Sequence, residues 1–167
     1  KADYPRILVP PPGPKAKAWL ERDDKSISPS YTRSYPLVME YGEGMMVRDV
    51  DGNIFLDFAA GIAVNATGHR HPKIVAAIKE GLDHAFIHMS GTDFYYPEQI
   101  EFAEKLATAT RGPGKLRAFF CNSGAEAIEG ALKLAKWFTR RSDIVSMSGA
   151  FHGRTMGALS LASSNAR

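Results

Sequence analysis

The sequence predicts an α/β protein in which a small α+β domain precedes the start of a larger domain with a mostly parallel sheet. Three observations support this fold class. The turn sequence Asp51-Gly52-Asn53 separates two short stretches rich in β-forming residues, which is typical of an antiparallel hairpin. Two segments with apolar residues at helical spacing each begin at a proline. Further along, two short apolar stretches enclose a helical pattern, as in the strand–helix–strand unit of a parallel sheet.

Residues 1–35 are expected to form an N-terminal arm and a short helix. Prolines recur between Pro5 and Pro14, and they exclude a helix there because proline lacks the amide donor and clashes with the preceding turn. We therefore predict an extended arm that lies on another surface, followed by a short helix over residues 15–22.

Residues 36–75 are expected to form a small-domain meander and a loop. Their β-compatible side chains predict a small antiparallel sheet within 37–58, whose hairpin joins 45–50 to 54–58. A loop rich in small residues is predicted to follow over 61–68.

Two amphipathic helices are predicted next, one over residues 72–84 and one from Pro97 to the Gly-Pro-Gly sequence at 112–114. Each begins at a proline, which is favourable at the first helical position because the amide donor would be unpaired there. The apolar residues that follow recur at the spacing of one helix face.

Residues 76–167 are expected to contain the start of the large α/β domain. The apolar run 116–121 predicts a strand buried on both faces, followed by a helix over 126–140 and a second strand over 144–147. Two parallel strands do not make a stable sheet core. We therefore expect the chain to be an incomplete piece of a longer protein.

The composition excludes several classes of function. The formal net charge of the 167 residues is only +3, and the charges alternate in sign, so we expect no nucleic-acid partner. No apolar run approaches the roughly 20 residues of a membrane span, so we expect no membrane association. The single cysteine, Cys121, excludes an internal disulfide framework and favours a reducing compartment, the cytoplasm.

The sequence Asn122-Ser123-Gly124-Ala125 links the first predicted strand to the helix. The first amides of a helix have no intrahelical partner and carry partial positive charge, so they can bind an anion such as phosphate. An equally good interpretation is that Ser123 only caps the helix, with Glu126 completing a capping box. The sequence contains neither a Walker-type nucleotide loop nor a dinucleotide fingerprint.

The second predicted strand is followed by a loop with an aromatic, an imidazole and a guanidinium side chain, those of Phe151, His152 and Arg154. Ligands of open α/β sheets bind outside the carboxyl ends of the strands, so this loop and the one before the helix can face one pocket. Taken alone, the loop slightly favours another interpretation, in which Phe151 is core packing and Arg154 a surface charge. Because a candidate phosphate loop precedes them, we favour a binding site.

No metal site is expected. His84 and His88 are four residues apart, a spacing found in zinc sites, but no H-E-x-x-H sequence and no cysteine pair accompanies them. Cys121 is expected to be a small buried hydrophobic residue.

Three segments together resemble the class III aminotransferases, which are pyridoxal-phosphate-dependent transferases of fold type I. They are DGNIFLDF at 51–58, continuing into 61–65 and 68–72, then NSGAEA at 122–127, and FHGRT at 151–155. Their order and separation match that family from about residue 36 onward. The proline-rich start looks most similar to archaeal members that act on 4-aminobutyrate, ornithine or related amino acids.

The resemblance implies pyridoxal 5'-phosphate as the cofactor. The backbone amides of Gly124 and Ala125 would bind its phosphate, with Ser123 beside them. Phe151 would stack on its pyridine ring, and His152 would border the ring.

The resemblance also implies two substrate-binding residues. Arg154 would form a bidentate pair with a substrate carboxylate, for which its planar fork is better suited than lysine. Ile62 matches a position that lines the substrate pocket in the family.

The implied reaction is transfer of an amino group between an amino acid and a 2-oxo acid by a homodimer. The Schiff-base lysine of the family lies beyond the matching segments, and neither Lys133 nor Lys136 is a candidate for it, so we assign no catalytic residue and expect the chain alone to be inactive. Two alternatives remain open: an amino-acid racemase or epimerase on the same scaffold, and a non-catalytic phosphate-binding module.

Overall fold

The computed structural model describes residues 4–31, 33–84 and 88–163. The chain divides into two compact units, Lys1–His88 and Met89–Arg167. The domain boundaries expected from the sequence, at 35/36 and 75/76, stay a prediction.

The first unit combines a small antiparallel sheet with helices. Its elements in chain order are α1 (Pro14–Ser26), β1 (Met39–Glu43), β2 (Met46–Asp49), β3 (Ile54–Leu56), α2 (Ala60–Ala63) and α3 (Pro72–His84). The sheet order is β1-β2-β3, with both neighbouring pairs antiparallel. The predicted hairpin and the helix that begins at Pro72 are confirmed, whereas α1 extends four residues beyond the predicted end at position 22.

The N-terminal arm is extended and pairs with the last strand of the sheet. The amide of Arg6 donates to the carbonyl of Ile54 at 2.9 Å, and the amide of Ile54 donates back at 2.8 Å. The prediction of an extended arm is confirmed, and the surface that it lies on is the edge of β3.

Two buried polar residues in the hairpin turn hold this arm. Asp49 and Asn53 are 1% and 0% exposed, and the Asp49 carboxylate accepts hydrogen bonds from the amide and the side chain of Asn53 at 2.8 and 2.7 Å. The side-chain oxygen Oδ1 of Asn53 in turn accepts from the amides of Leu8 and Val9 at 2.7 and 2.9 Å. Because buried polar groups are costly when unpaired, this network fixes both the turn and the arm.

The same turn caps helix α1. The N-cap residue, Gly13, has no side chain to offer, and Asp51 accepts instead from the amides of Lys15 and Ala16, each at 2.9 Å. A Cβ atom on Gly13 would lie 2.4 Å from Cγ of Asp51, so this approach requires glycine.

Part of the predicted loop 61–68 is a left-handed turn. Element α2 has φ values of 46° at Ala60, 64° at Gly61, 59° at Ile62 and 65° at Ala63. L-residues other than glycine are strained in this region by roughly 1–2 kcal/mol each. Gly61 is suited to such a turn, whereas Ala60, Ile62 and Ala63 are not, so the sequence predicted a loop but not its left-handed conformation.

Within its described residues, the second unit contains three helices: α4 (Pro97–Ala109), α5 (Gly124–Thr139) and α6 (Met156–Ser160). The predicted helices that begin at Pro97 and follow the Ser123 loop are confirmed, although α5 starts two residues earlier than expected. Helix α6 was not predicted. It packs on α5, and its Ala158 is fully buried.

The two strands predicted over 116–121 and 144–147 are wrong for the structure described, in which neither segment has strand pairing. Their burial is also wrong, since Phe119 is 74% and Val145 96% exposed. A parallel strand depends on hydrogen bonds to neighbours that are distant in sequence, and an apolar run alone does not supply them. Cys121, expected to be buried, is exposed for the same reason.

Helix α5 presents a large apolar surface. Leu134, Trp137 and Phe138 are 64%, 65% and 78% exposed. Such a face requires cover in a stable protein, and within the described residues nothing covers it. None of the helices in the described ranges combines the length and the apolar character needed to cross a membrane.

Candidate functional site

The N-terminus of α5 is capped by the side chain of Ser123. This residue is extended, with φ −154° and ψ 162°, and its hydroxyl oxygen accepts from the amide of Glu126 at 3.2 Å. The Glu126 carboxylate accepts from the amide of Asn122 at 2.6 Å. The capping interpretation is therefore confirmed, with the difference that Glu126 reaches the amide of Asn122 rather than that of Ser123.

This cap leaves the first two amides of the helix open. Ser123 pairs with the third amide, and no described residue accepts from the amides of Gly124 or Ala125. A Cβ atom on Gly124 would meet nothing within 4 Å. Capping and anion binding are thus compatible, because each uses different donors of the same helix end.

The loop before α6 lies directly on this end of the helix. Gly153 has φ +123°, and a Cβ atom there would lie 2.6 Å from Cβ and 3.0 Å from Cα of Ala125. Both the conformation and the contact therefore require glycine. The structure brings together the two loops that the sequence singled out, at Gly153 and Ala125.

A second contact, made by the start of α6, lies one helical turn further along α5. The Glu129 carboxylate accepts from the amide of Gly157 at 2.9 Å, and a Cβ atom on Gly157 would lie 2.4 Å from that carboxylate. The pKa of Glu129 is lowered, first by the side-chain hydrogen bond of Thr155 and further by the amides of Gly157 and Ala158. The carboxylate is thus stabilised in its charged form by the loop that it holds.

Of the three candidate side chains, Phe151 and His152 precede the Gly153 contact, and Arg154 lies between the two contacts. Phe151 is 55% exposed, and Cζ of Arg154 lies 5.5 Å from the centroid of its ring. His152 is partly buried, and Arg154 is exposed. Among the described residues Arg154 makes no ion pair, so its guanidinium can pair with a carboxylate. The binding roles of these residues and of Ser123, Gly124 and Ala125 stay predictions.

Ile62, the remaining candidate residue, belongs to the first unit. Its side chain is 92% exposed at the left-handed turn. The turn is held at its start by Asp57, whose Oδ1 accepts from the amides of Ala59 and Ala60 at 3.0 and 2.8 Å. The structure presents Ile62 to solvent, and its substrate role also stays a prediction.

Asp57 is also bound to a histidine. Nε2 of His69 lies 2.7 Å from Oδ2 of Asp57, whose side chain is only 14% exposed. The pKa of Asp57 is lowered, first by this hydrogen bond and then by the amide of Ala60. His69 also exchanges two backbone hydrogen bonds with Gly44, so the loop is tied to the sheet.

Sequence reasoning missed Glu129, Asp57 and His69 as residues that hold the two candidate loops. For Glu129 a signal was present: it lies four residues after Ala125, as Gly157 lies four after Gly153. This equal spacing matches one turn of a helix face. Asp57 and His69 had no comparable signal beyond their position in the segments 51–58 and 68–72, which resemble the aminotransferase family.

Metal binding finds no support in the described ranges, where no group of three or more potential ligands occurs. The spacing between His84 and His88 crosses residues 85–87, which lie outside those ranges.

Comparisons with known proteins identify the family of the chain. The family model for aminotransferase class-III matches residues 27–167. An acetylornithine aminotransferase of Archaeoglobus fulgidus is 49% identical over 86% of the chain and 36% of its own length. An alanine/serine racemase of Pyrococcus horikoshii is 42% identical over 96% of the chain and 34% of its own length.

The fold agrees as well. The crystal structure of taurine:2-oxoglutarate aminotransferase from Bifidobacterium kashiwanohense, in complex with PLP and glutamate, matches with a TM-score of 0.80 at 25% identity, over 90% of this chain and 34% of that one. The α/β fold-type I architecture expected from the sequence is confirmed. The chain spans about a third of the length of these relatives. On the family model and these identities, the chain belongs to the class-III aminotransferase family.

Proposed function

We propose that the chain forms the N-terminal third of a pyridoxal-phosphate-dependent enzyme that transfers an amino group between an amino acid and a 2-oxo acid. Amino donors of the acetylornithine, ornithine or 4-aminobutyrate type are favoured, because the proline-rich start of the chain resembles that of archaeal family members. One observation carries the proposal: the open amides of Gly124 and Ala125 lie at a helix end on which the loop of Phe151 and Arg154 is packed. This arrangement occurs in a chain of the class-III family.

The donors at the start of α5 fit the cofactor's phosphate. A dianion can accept from the amides of Gly124 and Ala125, where the helix dipole is favourable. The Ser123 hydroxyl accepts from Glu126 and keeps its own hydrogen to donate to a phosphate oxygen. Phe151 stacks on the pyridine ring in this proposal, and His152 borders it. When bound, the cofactor supplies an electron sink, while the protein supplies position and electrostatics.

Arg154 binds the substrate carboxylate in this proposal. Its exposed guanidinium lies above the ring of Phe151, so one loop presents both the stacking surface and the carboxylate partner. A guanidinium pairs with a carboxylate through two parallel hydrogen bonds, which fixes the orientation of the substrate as well as its affinity.

Ile62 contributes an apolar contact to the substrate in this proposal. Its side chain is held out on a strained turn, and an exposed apolar side chain in a strained segment is typical of a binding loop. The proposal for Ile62 rests on its own turn and does not depend on the residues of the second unit.

We further propose that the catalytic lysine lies outside these 167 residues, that the enzyme is a homodimer, and that it works in the cytoplasm. Lys133 and Lys136 lie on α5 beyond the phosphate-binding end, which supports neither as the lysine that holds the cofactor. The dimer follows from the family resemblance, and the single cysteine favours a reducing compartment.

Racemisation of an amino acid is the second candidate. The Pyrococcus horikoshii relative, which aligns with nearly the whole chain, is named a racemase. Both reactions would use the same cofactor to weaken a bond at the carbon that bears the amino group, so residues that bind the cofactor do not distinguish them.

One assay of the full-length protein separates the candidates. The protein is incubated with pyridoxal 5'-phosphate and N-acetylornithine or 4-aminobutyrate, with and without 2-oxoglutarate, and glutamate formation is measured. In parallel, L-alanine and L-serine are incubated without an oxo acid, and the D-enantiomer is measured by chiral chromatography. Glutamate that depends on 2-oxoglutarate supports the aminotransferase, and D-enantiomer formation without it supports the racemase. The absence of both products contradicts both proposals.

A further inference from the structure

Two glycines in the segment that includes Phe151 and Arg154 contact two residues of α5, and the spacing is the same on both sides. Gly153 lies on Ala125, and Gly157 lies on the carboxylate of Glu129. The two glycines are four residues apart in sequence, and so are Ala125 and Glu129. Positions four apart lie on one face of a helix. The loop is therefore docked on a single face of α5, with its register set at two points.

The Glu129 contact is a hydrogen bond, whereas the Ala125 contact is steric. The Gly157 amide donates to Oε1 of Glu129 at 2.9 Å across 28 residues of sequence. Gly157 is the second residue of α6, so its amide has no intrahelical acceptor. A charged acceptor at this position is favoured by the helix end, and hydrogen bonds to charged groups are stronger than neutral ones.

Arg154 lies directly beside one of these contacts and three residues before the other. Gly153 fixes the backbone on its N-terminal side, and Gly157 fixes it on the C-terminal side. Removing the second contact takes away the hydrogen bond that ties the C-terminal side of Arg154 to α5.

We propose that Glu129 is a positioning residue, which holds the loop of Phe151 and Arg154 against the phosphate-binding end of α5 and so sets the affinity for carboxylate substrates. This inference rests on the proposed function. Glu129 touches neither substrate nor cofactor in it, and acts through the Gly157 amide.

The test uses three variants of Glu129 in the full-length enzyme. Glu129→Ala removes the acceptor, Glu129→Asp keeps the charge but withdraws it by one methylene, and Glu129→Gln keeps an oxygen that can accept from Gly157. Lys133→Ala is the control, because Lys133 acts on Glu129 through charge and no described hydrogen bond joins it to the loop.

The main readout is the dissociation constant of glutarate, an unreactive dicarboxylate. Glutarate is added stepwise to the enzyme, and its binding is followed by the change in absorbance of the bound cofactor. Misplacing a binding group by about 1 Å can cost about 100-fold, so we expect Glu129→Ala and Glu129→Asp to weaken glutarate binding by roughly tenfold or more. Glu129→Gln is expected to recover most of the affinity, and Lys133→Ala to match the parent.

The second readout is hydrogen exchange of residues 149–163 in the enzyme without cofactor. Faster exchange in the alanine and aspartate variants, with recovery in the glutamine variant, supports the proposal independently of activity. Unchanged glutarate affinity and exchange in both impaired variants overturn it. If the alanine variant does not fold, the aspartate variant decides. A parent enzyme that binds no pyridoxal phosphate contradicts the proposed function instead, and the exchange experiment still tests the role of Glu129.

Discussion

Gly153 and Ala125 are in direct contact, so close that a Cβ atom on the glycine would lie 2.6 Å from Cβ of the alanine. Because Ala125 is the second residue of α5, this contact places the Phe151 loop at the positive end of the helix. Two loops separated by a whole helix in sequence are thereby joined into one structure. The steric fit of one glycine accounts for the location of the candidate site.

Replacing this glycine should displace the loop. Gly153→Ala introduces both the clash with Ala125 and the strain of a positive φ, so we expect a large loss of cofactor affinity in the full-length enzyme. Gly149→Ala is a matched control, since Gly149 also has positive φ, +80°, but a Cβ atom there would meet nothing within 4 Å. The measurement is the dissociation constant of pyridoxal phosphate, and equal losses in both variants would show that strain alone is responsible.

Ser123 offers a way to separate capping from phosphate binding. Ser123→Ala should lower the free energy of unfolding by about 1 kcal/mol through loss of the cap, and should also weaken cofactor binding if the hydroxyl donates to the phosphate. Ser123→Asp keeps a cap acceptor but places a negative charge beside the phosphate. We therefore expect parent-like stability and much weaker cofactor binding for Ser123→Asp, measured by urea unfolding without cofactor and by cofactor titration. Undiminished cofactor affinity in the aspartate variant would exclude an anion at this position.

Arg154 is expected to act on substrates through their carboxylate. Arg154→Lys keeps the positive charge but loses the planar fork, so we expect KM for carboxylate-bearing donors to rise roughly tenfold, as for the loss of a paired hydrogen bond. Steady-state kinetics with 4-aminobutyrate and with an amine donor that lacks a carboxylate provide the comparison. If both donors are affected alike, or neither is, Arg154 does not bind the carboxylate.

The Asp57–His69 contact predicts a pH dependence of stability. The pKa of Asp57 is lowered from its ordinary value of 3.8, so the folded state binds this proton less readily than the unfolded state does. The stabilisation is therefore fully present above pH 3.8 and is lost as the pH falls through the lower, folded-state pKa. We expect the parent to lose more stability than Asp57→Asn when the pH is lowered from 5 to 3, as measured by urea unfolding. Parallel pH profiles of the two proteins would contradict this assignment.

The parts of the fold that the sequence predicts are those with local causes. The turn at Gly52 and the helix starts at Pro72 and Pro97 depend on residues within a few positions, and all three are confirmed. The segment 116–121 is different, because strand pairing depends on chain segments far away in sequence. Its apolar run predicted neither strand pairing nor burial correctly for the residues described.

The candidate site follows the same division. Ser123 as a helix cap could be predicted, since the cap and its donor lie within three residues. The role of Glu129 was missed, because the equal spacing from Ala125 to Glu129 and from Gly153 to Gly157 identifies a partner only once Gly157, 28 residues from Glu129, is folded against it. The left-handed conformation of Ile62 was not predicted either, because isoleucine is disfavoured at positive φ.

The most direct test of the account concerns the amide of Gly124. Proline is well tolerated at the first position of a helix, and the extended conformation of Ser123 suits a residue that precedes proline, so Gly124→Pro removes one donor while keeping the helix. Gly124→Ala is the control, because it keeps the donor and its Cβ atom would meet nothing within 4 Å.

A hydrogen bond to a charged group contributes about 1.5–3 kcal/mol. In the full-length enzyme we therefore expect Gly124→Pro to weaken pyridoxal phosphate binding by roughly 10- to 100-fold, with Gly124→Ala close to the parent. Cofactor affinity that is the same in the proline variant, the alanine variant and the parent would contradict the claim that the open amides of α5 bind the phosphate.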